Sequence, residues 1–179
     1  MDRLLLLLLL LPLVTPLLTA DGGVNAKEKL IHLRFYWHGI LSGPNPTAET
    51  IARSPVTNAS ATLFGLMNVI DDPLTLGPDL SSRQIGRSQG IYVSVDQNVV
   101  GLLMVMNFVF MDGKYNGSTL AVMGHNQVFS SVREMPIVGG TMLFRLARGY
   151  VQARTYSFRP EIGDVVVEYN CYVLRCSDY

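Results

Sequence analysis

The chain has 179 residues and equal numbers of basic and acidic side chains, 14 of each, so its formal net charge is zero. This balance argues against a nucleic-acid or anionic-membrane partner, because such partners are recognised through a basic field. Apolar residues make up 49% of the chain, which is too many for a disordered protein and enough for the core of one domain or at most two.

The N-terminal segment is predicted to be a secretory signal peptide. A short charged start precedes a leucine-rich stretch from Leu4 to Leu18 that is broken by two prolines. This stretch is short for a membrane span and suits the apolar region of a signal. We expect cleavage after Ala20, or as late as Ala26, and a secreted domain over residues 27–179, with an uncleaved anchor as the alternative.

Alternating patterns predict strands along most of the remaining chain. The clearest runs from Leu30 to Gly39, where Ile31, Leu33, Phe35 and Trp37 share one face. Further strands are predicted at 61–70, 85–95, 100–111, 115–125 and 164–174. Polar residues, glycine and proline mark loops or turns at 42–46, 71–73, 77–83, 96–98 and 112–114, while 47–56 is ambiguous.

The stretch 124–150 also carries strand signals. Pro136 suits a strand edge or start, and the double glycine at 139–140 marks a tight bend. From Thr141 onward we predict an alternating strand that places Arg145 and Arg148 on opposite faces among apolar neighbours. Because a buried charge needs a partner, each arginine is a candidate ligand contact, or else a solvated or interface residue.

The pattern as a whole predicts an all-β fold without a helix of ordinary length. Roughly eight strands joined by short turns favour either a closed antiparallel barrel or a sandwich. A barrel of about eight strands can hold one small ligand. The methionine-rich run 100–111 and the aromatic strands would line such a cavity, or they would fill a solid core.

Two cysteines and two glycosylation sequons remain to be placed. Cys171 and Cys176 are five residues apart in a predicted strand, and five extended residues span roughly 16 Å. A disulfide tolerates a Cα separation of up to about 7 Å, so we expect no bond between them while that strand is intact. Asn58 and Asn116 begin sequons, which predicts a glycoprotein if the chain is secreted.

The sequence contains no recognisable catalytic motif. No metal-ligand spacing links the three histidines, His32, His38 and His125. The pair Asp71-Asp72 resembles catalytic carboxylates, but directly before Pro73 we interpret it as a turn. A nucleophile elbow, a phosphate loop and a cofactor fingerprint are all absent, so we expect no metal and no cofactor and assign no catalytic residue. A cavity that binds or orients a ligand is the natural hypothesis.

Several motifs, spread in order from Leu33 to Leu174, resemble the plant dirigent protein family. They are Phe35-Tyr36-Trp37-His38, Asp71-Asp72-Pro73-Leu74-Thr75, Gly86-Arg87-Ser88-Gln89-Gly90-Ile91-Tyr92, Lys114-Tyr115-Asn116-Gly117-Ser118-Thr119, Val132-Arg133-Glu134-Met135-Pro136, Gly139-Gly140-Thr141 and Ala147-Arg148-Gly149-Tyr150. The resemblance implies an eight-stranded antiparallel calycin-like β-barrel with a central ligand cavity. It also implies a homo-oligomer, a dimer or trimer, that is secreted to the apoplast.

The resemblance further implies a role in plant phenylpropanoid metabolism, in which a phenolic intermediate is bound and the stereochemistry of its next bond is fixed. In one branch of the family, two phenoxy radicals made by a separate oxidase (laccase or peroxidase) couple to a lignan. In another, an isoflavan-4-ol loses water through a quinone methide and closes to a pterocarpan. The chain is therefore expected to be a stereodirecting auxiliary or a cofactor-free lyase, or else a secreted binding or defence barrel without chemistry.

The chain departs from the family pattern at two acidic positions. Many members have an aspartate after the Phe-Tyr-Phe/Trp-His motif, where this chain has Gly39. Lignan-coupling members carry Gly-Asp where this chain has Met142 and Leu143. Both acids that would polarise a quinone-methide oxygen or take up a proton are thus missing. The remaining candidates for ligand contact are Tyr92, Arg145, Arg148, Phe35 and His38.

Overall fold

The computed structural model describes residues 28–176, which form one antiparallel sheet of nine strands. The strands are β1 (Glu28–Gly39), β2 (Ala48–Arg53), β3 (Leu66–Thr75), β4 (Gln84–Ser94), β5 (Gly101–Phe110), β6 (Thr119–Gln127), β7 (Arg133–Gly140), β8 (Arg148–Arg159) and β9 (Asp164–Cys176). Three short 3₁₀ turns cover Thr57–Ala59, Gly113–Tyr115 and Met142–Phe144. Within 28–176 no helix is long and apolar enough to span a membrane. The predicted signal peptide lies outside the described residues.

The sheet closes into a barrel of eight strands. Hydrogen-bonded neighbours follow the order β1-β9-β8-β7-β6-β5-β4-β3, and β3 returns to β1 through the pairs Tyr36–Thr75 and Trp37–Leu74. Strand β2 pairs only with the first half of β3 and lies outside this ring. Closure removes the unpaired strand edges that an open sheet would expose. The predicted eight-stranded antiparallel barrel is therefore confirmed.

The middle of the barrel is a packed apolar core. Phe35 of β1 points inward, with its ring edge-on to Phe108 at 5.0 Å and stacked on Tyr169 at 6.1 Å between centroids. Met104 and Met106 of β5 are also buried in this cluster. The aromatic and methionine-rich strands thus fill the centre of the barrel, and the cavities described below lie toward its two ends.

The interpretation of Asp71-Asp72-Pro73 as a turn is wrong, because β3 continues through these residues to Thr75. Pairing of β3 with β2 ends at Ile70, and its pairing with β1 begins at Leu74. Pro73 lies between these two regions, where its missing N–H interrupts no ladder hydrogen bond. A proline that usually signals a turn is therefore accommodated inside a strand.

The strand predicted at 61–70 begins later than expected, and the ambiguous segment before it contains β2. Leu63 and Gly65 adopt positive φ angles of 57° and 84°, which are incompatible with a strand. The backbone therefore turns through residues 61–65 before β3 starts at Leu66.

The alternating strand predicted from Thr141 onward is also wrong. The chain makes a 3₁₀ turn at Met142–Phe144, and β8 begins only at Arg148. Met142 and Leu146 adopt φ angles of 53° and 58°, in the left-handed region that favours glycine. The sequence gives no sign of this chain reversal, because glycine is the residue expected at such φ angles and these positions carry apolar side chains instead.

Candidate ligand-binding cavity

A cavity of about 550 Å³ opens at the end of the barrel where β9 begins. This volume falls within the range of small-molecule sites, which are mostly apolar with few polar groups. Its apolar walls include Leu102, Val128, Phe129, Phe158, Val165 and Val167. Its polar lining includes Thr62, Asn126, Arg133 and Thr155. The cavity therefore suits a flat, largely apolar ligand with one or two polar atoms.

Arg133 is the charged group of this cavity. Its side chain lies on the inward face of β7, together with Met135 and Ile137, and is 5% exposed. Its Nε donates a hydrogen bond to Oδ1 of Asn126 at 3.2 Å, and its Nη1 donates to Oγ1 of Thr155 at 2.8 Å. The five ion pairs among the described residues do not include it. Neutral acceptors thus hold the guanidinium in place without neutralising its charge.

Burial lowers the pKa of Arg133 below its ordinary value, while the neighbouring Tyr169 acts in the opposite direction. An arginine pKa lies so far above neutrality that the side chain remains a cation. A buried cation costs free energy unless an acceptor compensates for its lost hydration. The cavity is therefore electrostatically prepared for a ligand oxygen that carries negative charge or develops it.

A buried carboxyl lies deeper in the barrel. Asp72 lies on the inward face of β3, together with Ile70 and Leu74, and is fully buried. Its Oδ1 accepts a hydrogen bond from the hydroxyl of Thr47 at 2.5 Å, whereas its Oδ2 is buried without a partner. Burial raises the pKa of Asp72 to about 7, despite opposition from the Thr47 hydroxyl and the charge of Arg87. At neutral pH this carboxyl can therefore both hold and release a proton.

Gly39 provides the space in which Trp37 approaches this carboxyl. A Cβ atom at position 39 would lie 2.7 Å from Cη2 of Trp37, closer than side chains tolerate. The Trp37 indole N–H is buried without an acceptor in good geometry, yet the indole is near enough to lower the pKa of Asp72. An acid at position 39 is thus incompatible with this Trp37 position. Among the inward-facing positions of the described strands, Asp72 is the only carboxyl.

Two tyrosines, the partly buried Tyr92 and the buried Tyr169, lie within electrostatic reach of Asp72. Tyr92 faces the barrel interior from β4, opposite Asn68. Burial, together with the charge of Asp72, raises the pKa of Tyr92 to about 12, so its hydroxyl stays protonated at neutral pH. Burial also raises the pKa of Tyr169, which is affected by both Arg133 and Asp72. Tyr169 is therefore close enough to both the cation of the cavity and the buried carboxyl for each charge to affect its pKa.

The aromatic and histidine candidates occupy different environments. Phe35 and Tyr92 share the barrel interior, although neither lines the cavity. His38 lies between β1 and β3, where its Nε2 is 2.7 Å from Oγ1 of Thr75. Burial lowers the pKa of His38, which favours the neutral ring. The structure thus places His38 in the seam that closes the barrel.

The two arginine candidates are exposed and lie away from the cavity. Arg145 follows the 3₁₀ turn at Met142–Phe144, and Arg148 begins β8. Nη2 of Arg148 pairs with Oε1 of Glu28 at 2.8 Å. Leu143 lines a small cavity at the opposite end of the barrel. The arginine that the structure places in the large cavity is Arg133.

The sequons and cysteines lie outside the cavity lining. Asn58 and Asn116 are both exposed, each in or directly after a 3₁₀ turn. Cys171 is buried in the core and Cys176 is half-buried, and both thiols are free in the described part of the chain. Burial raises the pKa of Cys171 well above its usual range, which disfavours the reactive thiolate.

Sequence reasoning missed Arg133 and Asp72 as site residues. Both carried a usable signal, because each alternates with apolar residues that prove to face the core. Arg133 shares the parity of Met135 and Ile137, and Asp72 shares that of Ile70. A charged residue on the core face of a strand is a stronger sign of a site than a charged residue in a loop.

Comparison with known proteins identifies the family. The model of the Dirigent-like protein family matches residues 30–174. The chain is 50% identical over 182 residues to Dirigent protein 21 of Arabidopsis thaliana, covering 93% of this chain and 96% of that one. It is 46% identical over 150 residues to Pterocarpan synthase 1 of Glycyrrhiza echinata, covering 83% and 80%. The solved structure of the pterocarpan synthase dirigent protein GePTS1 superposes with a TM-score of 0.80 at 45% identity, over 85% of this chain and 93% of that one. The chain therefore belongs to the dirigent protein family.

Proposed function

We propose that this barrel binds a planar phenolic molecule in the cavity of about 550 Å³ and imposes one stereochemistry on its next bond. The observation that carries this proposal is Arg133, a buried cation without a carboxylate partner in a largely apolar cavity. Apolar walls suit aromatic rings, and a guanidinium suits a phenol or quinone-methide oxygen. Holding the ligand in one orientation converts an unselective encounter into a single geometry.

Between the reactions implied by the family, ring closure of an isoflavan-4-ol is the one we propose. The phenol releases its proton, the hydroxyl on the benzylic carbon takes up a proton and leaves as water, and a quinone methide forms. A hydroxyl on the attached ring then adds to that carbon and loses its proton, while the quinone-methide oxygen takes up a proton and becomes a phenol again, so the net change is the loss of one water. Arg133 would stabilise negative charge on the phenol oxygen as it develops. The 46% identity to a pterocarpan synthase supports this reaction.

The departing hydroxyl needs a proton, and Asp72 is the interior group suited to store one. Its pKa of about 7 is near the optimum for general acid–base catalysis at neutral pH. Asp72 does not line the cavity, so its proton would reach the ligand through a neighbouring hydroxyl. Tyr92 and Tyr169 are the neighbours whose pKa is raised by burial and by the charge of Asp72. Neither lines the cavity, so Tyr92 is our candidate for relaying this proton and not for direct contact with the ligand.

Coupling of two phenoxy radicals, which a separate laccase or peroxidase would supply, is the second candidate. Membership of the family and an apolar cavity support it. Two departures from the family pattern count against it: Gly39 stands where many members have an aspartate, and Leu143 stands where lignan-coupling members have one. A binding barrel without chemistry would share the same fold and cavity.

Chiral product analysis with the purified protein tests the proposal. One reaction contains an isoflavan-4-ol without oxidant, and the other contains coniferyl alcohol with a one-electron oxidase. We expect accelerated, stereospecific ring closure in the first. An enantiomeric excess confined to the second would replace ring closure by radical coupling. Racemic products at the uncatalysed rate in both would contradict a stereodirecting role and leave a binding barrel.

We further propose that the protein is a homo-oligomer, a dimer or trimer. Val69, Ile91, Val105 and Met123 form one cross-strand row on the outer face of β3 to β6. Three of these four apolar side chains are exposed, and contiguous patches of this kind mark protein interfaces. Sedimentation velocity at micromolar concentration should give the mass of a dimer or trimer. A monomer across that range would rule the interface out.

Secretion to the apoplast and glycosylation also remain proposals. The leucine-rich leader of residues 1–20 and the exposure of Asn58 and Asn116 support them. Protein recovered from the medium of plant cells should lose mass when it is treated with an N-glycosidase. An unchanged mass would contradict glycosylation at both sites.

A further inference from the structure

Three cations line a second, smaller cavity at the barrel end opposite the large one. This cavity of about 160 Å³ is bounded by Lys29, Lys114 and Arg175, together with Leu30, Ile31, Tyr115 and Leu143. No carboxyl is part of this lining. We refer to Lys29, Lys114 and Arg175 as the cationic cup.

The register of the barrel brings two of these cations together. Lys29 of β1 is the direct cross-strand partner of Arg175 of β9. Like charges directly opposite each other destabilise an antiparallel pair. The turn Gly113–Tyr115 adds Lys114, whose Nζ lies 4.9 Å from the centroid of the Tyr115 ring. The fold therefore concentrates positive charge at a place where this charge alone disfavours the folded state.

The carboxylates next to the cup in sequence are paired with other residues. Oε1 of Glu28, which precedes Lys29, is 2.8 Å from Nη2 of Arg148. Oδ2 of Asp112, two residues before Lys114, is 2.6 Å from Nη2 of Arg83. No ion pair among the described residues includes a member of the cup. Its charge is thus not compensated within 28–176.

Arg175 has hydrogen-bonding capacity that the described residues do not use. Its Nη1 donates only to the carbonyl oxygens of Leu143 and Cys176, at 3.5 Å and 3.3 Å. Its Nε is buried and has no acceptor, which is costly for a charged donor. A small shift of the guanidinium toward the cavity would give this N–H an acceptor on a bound oxygen.

We propose that the cationic cup is a binding site for an oxyanion, namely the carboxylate, phosphate or sulfate group of a small acidic ligand. A guanidinium edge binds such a group through two N–H donors, and ammonium groups add charge-assisted hydrogen bonds. The apolar neighbours Leu30, Ile31 and Leu143 leave room for a small ring attached to the anion. The site is independent of the proposed phenol cavity and lies at the other end of the barrel.

Melting temperatures of the full chain, measured with increasing sulfate, inorganic phosphate or D-galacturonate at constant ionic strength, test this site. We expect at least one anion to give a saturable rise of about 3 to 6 °C at tenfold excess over its Kd. The anion that saturates at the lowest concentration identifies the preferred group. The absence of saturation with all three would overturn the proposal.

A matched pair of double variants separates specific binding from general salt effects. The cup variant carries Lys29→Gln and Arg175→Gln, and the control carries Arg53→Gln and Arg154→Gln, which removes the same charge from exposed positions on β2 and β8. General stabilisation by sulfate acts on both alike. We expect the control to keep the saturable rise and the cup variant to bind at least tenfold more weakly.

The anion-free comparison gives a second readout. Without anion the cup variant should melt at a higher temperature than the control, because the repulsion between Lys29 and Arg175 has been removed. Equal anion responses in the two variants would overturn the proposal. A cup variant that melts lower than the control without anion would also contradict it, since that result would assign the cations a structural role.

Discussion

Replacing Asp72 by asparagine is expected to raise the free energy of unfolding at pH 8 by up to about 4 kcal/mol and to leave it nearly unchanged at pH 4. The physical reason is the burial of this carboxyl, which raises its pKa to about 7 and leaves Oδ2 without a partner. Asparagine keeps an oxygen that can accept the hydrogen bond from Thr47 but has no charge to bury. The substitution thus removes the cost of ionisation and preserves the shape.

The sign of this change in stability follows from the direction in which folding shifts the pKa of Asp72. The pKa of Asp72 in the folded protein lies above its ordinary value of 3.8, so the folded state binds this proton more tightly than the unfolded state. The neutral carboxyl makes its full contribution to the free energy of unfolding below about pH 4, and this contribution is lost as the pH rises through about 7. Denaturant unfolding at intervals from pH 4 to pH 8 should therefore show the difference between variant and wild type growing over that window.

The neighbouring Asp71 provides the control. It is largely exposed, and hydrogen bonds from Arg87 and Gln89 lower its pKa although burial acts in the opposite direction. Asp71→Asn should therefore have a small effect of opposite sign, which is present above the ordinary pKa of aspartate. His38, whose pKa is lowered by burial, is present in both proteins, so its contribution cancels in each difference between variant and wild type. Parallel curves for Asp72→Asn and wild type would contradict a buried neutral acid.

Alternation was sufficient to predict an all-β fold of about eight strands, because the strands are long and their core face is strongly apolar. The face of β1 that carries Phe35 and Trp37 was correctly recognised as one side of a strand, whereas the choice of a closed barrel over a sandwich came from the resemblance to the family. The missed reversal at Met142 has a different cause. A positive φ is imposed there on a residue that ordinarily avoids it, so local composition contained no sign of a turn.

The site was harder to predict, because its properties depend on contacts between distant strands. Arg133 becomes a cavity residue only through its hydrogen bonds to Asn126 and Thr155, on the two strands beside its own. The raised pKa of Asp72 depends on complete burial, which no local pattern records. Resemblance to the family directed attention to the arginine of the Ala-Arg-Gly-Tyr motif, whereas the structure places Arg148 in an exposed ion pair.

Arg133→Met should lower kcat/KM for stereoselective ring closure by about 100-fold or more while the melting temperature stays the same or rises. Removing a single preorganised donor to a developing oxyanion typically costs 10²- to 10³-fold. Methionine keeps the apolar part of the side chain, and replacing a buried charge by an apolar group is often neutral or stabilising. Loss of activity without loss of stability therefore distinguishes a ligand contact from a structural arginine.

Two further variants complete this experiment. Arg154→Met removes an exposed arginine from β8 and should leave rate and enantiomeric excess unchanged. Arg148→Met tests which arginine contacts the ligand, because the sequence motif favours Arg148 whereas the structure favours Arg133. Because Arg148 is exposed, pairs with Glu28 and lies outside the cavity lining, we expect its replacement to leave the enantiomeric excess intact. If Arg148→Met abolished selectivity while Arg133→Met kept it, the phenol oxygen would bind at the other end of the barrel. The cavity of about 550 Å³ would then not be the reaction site.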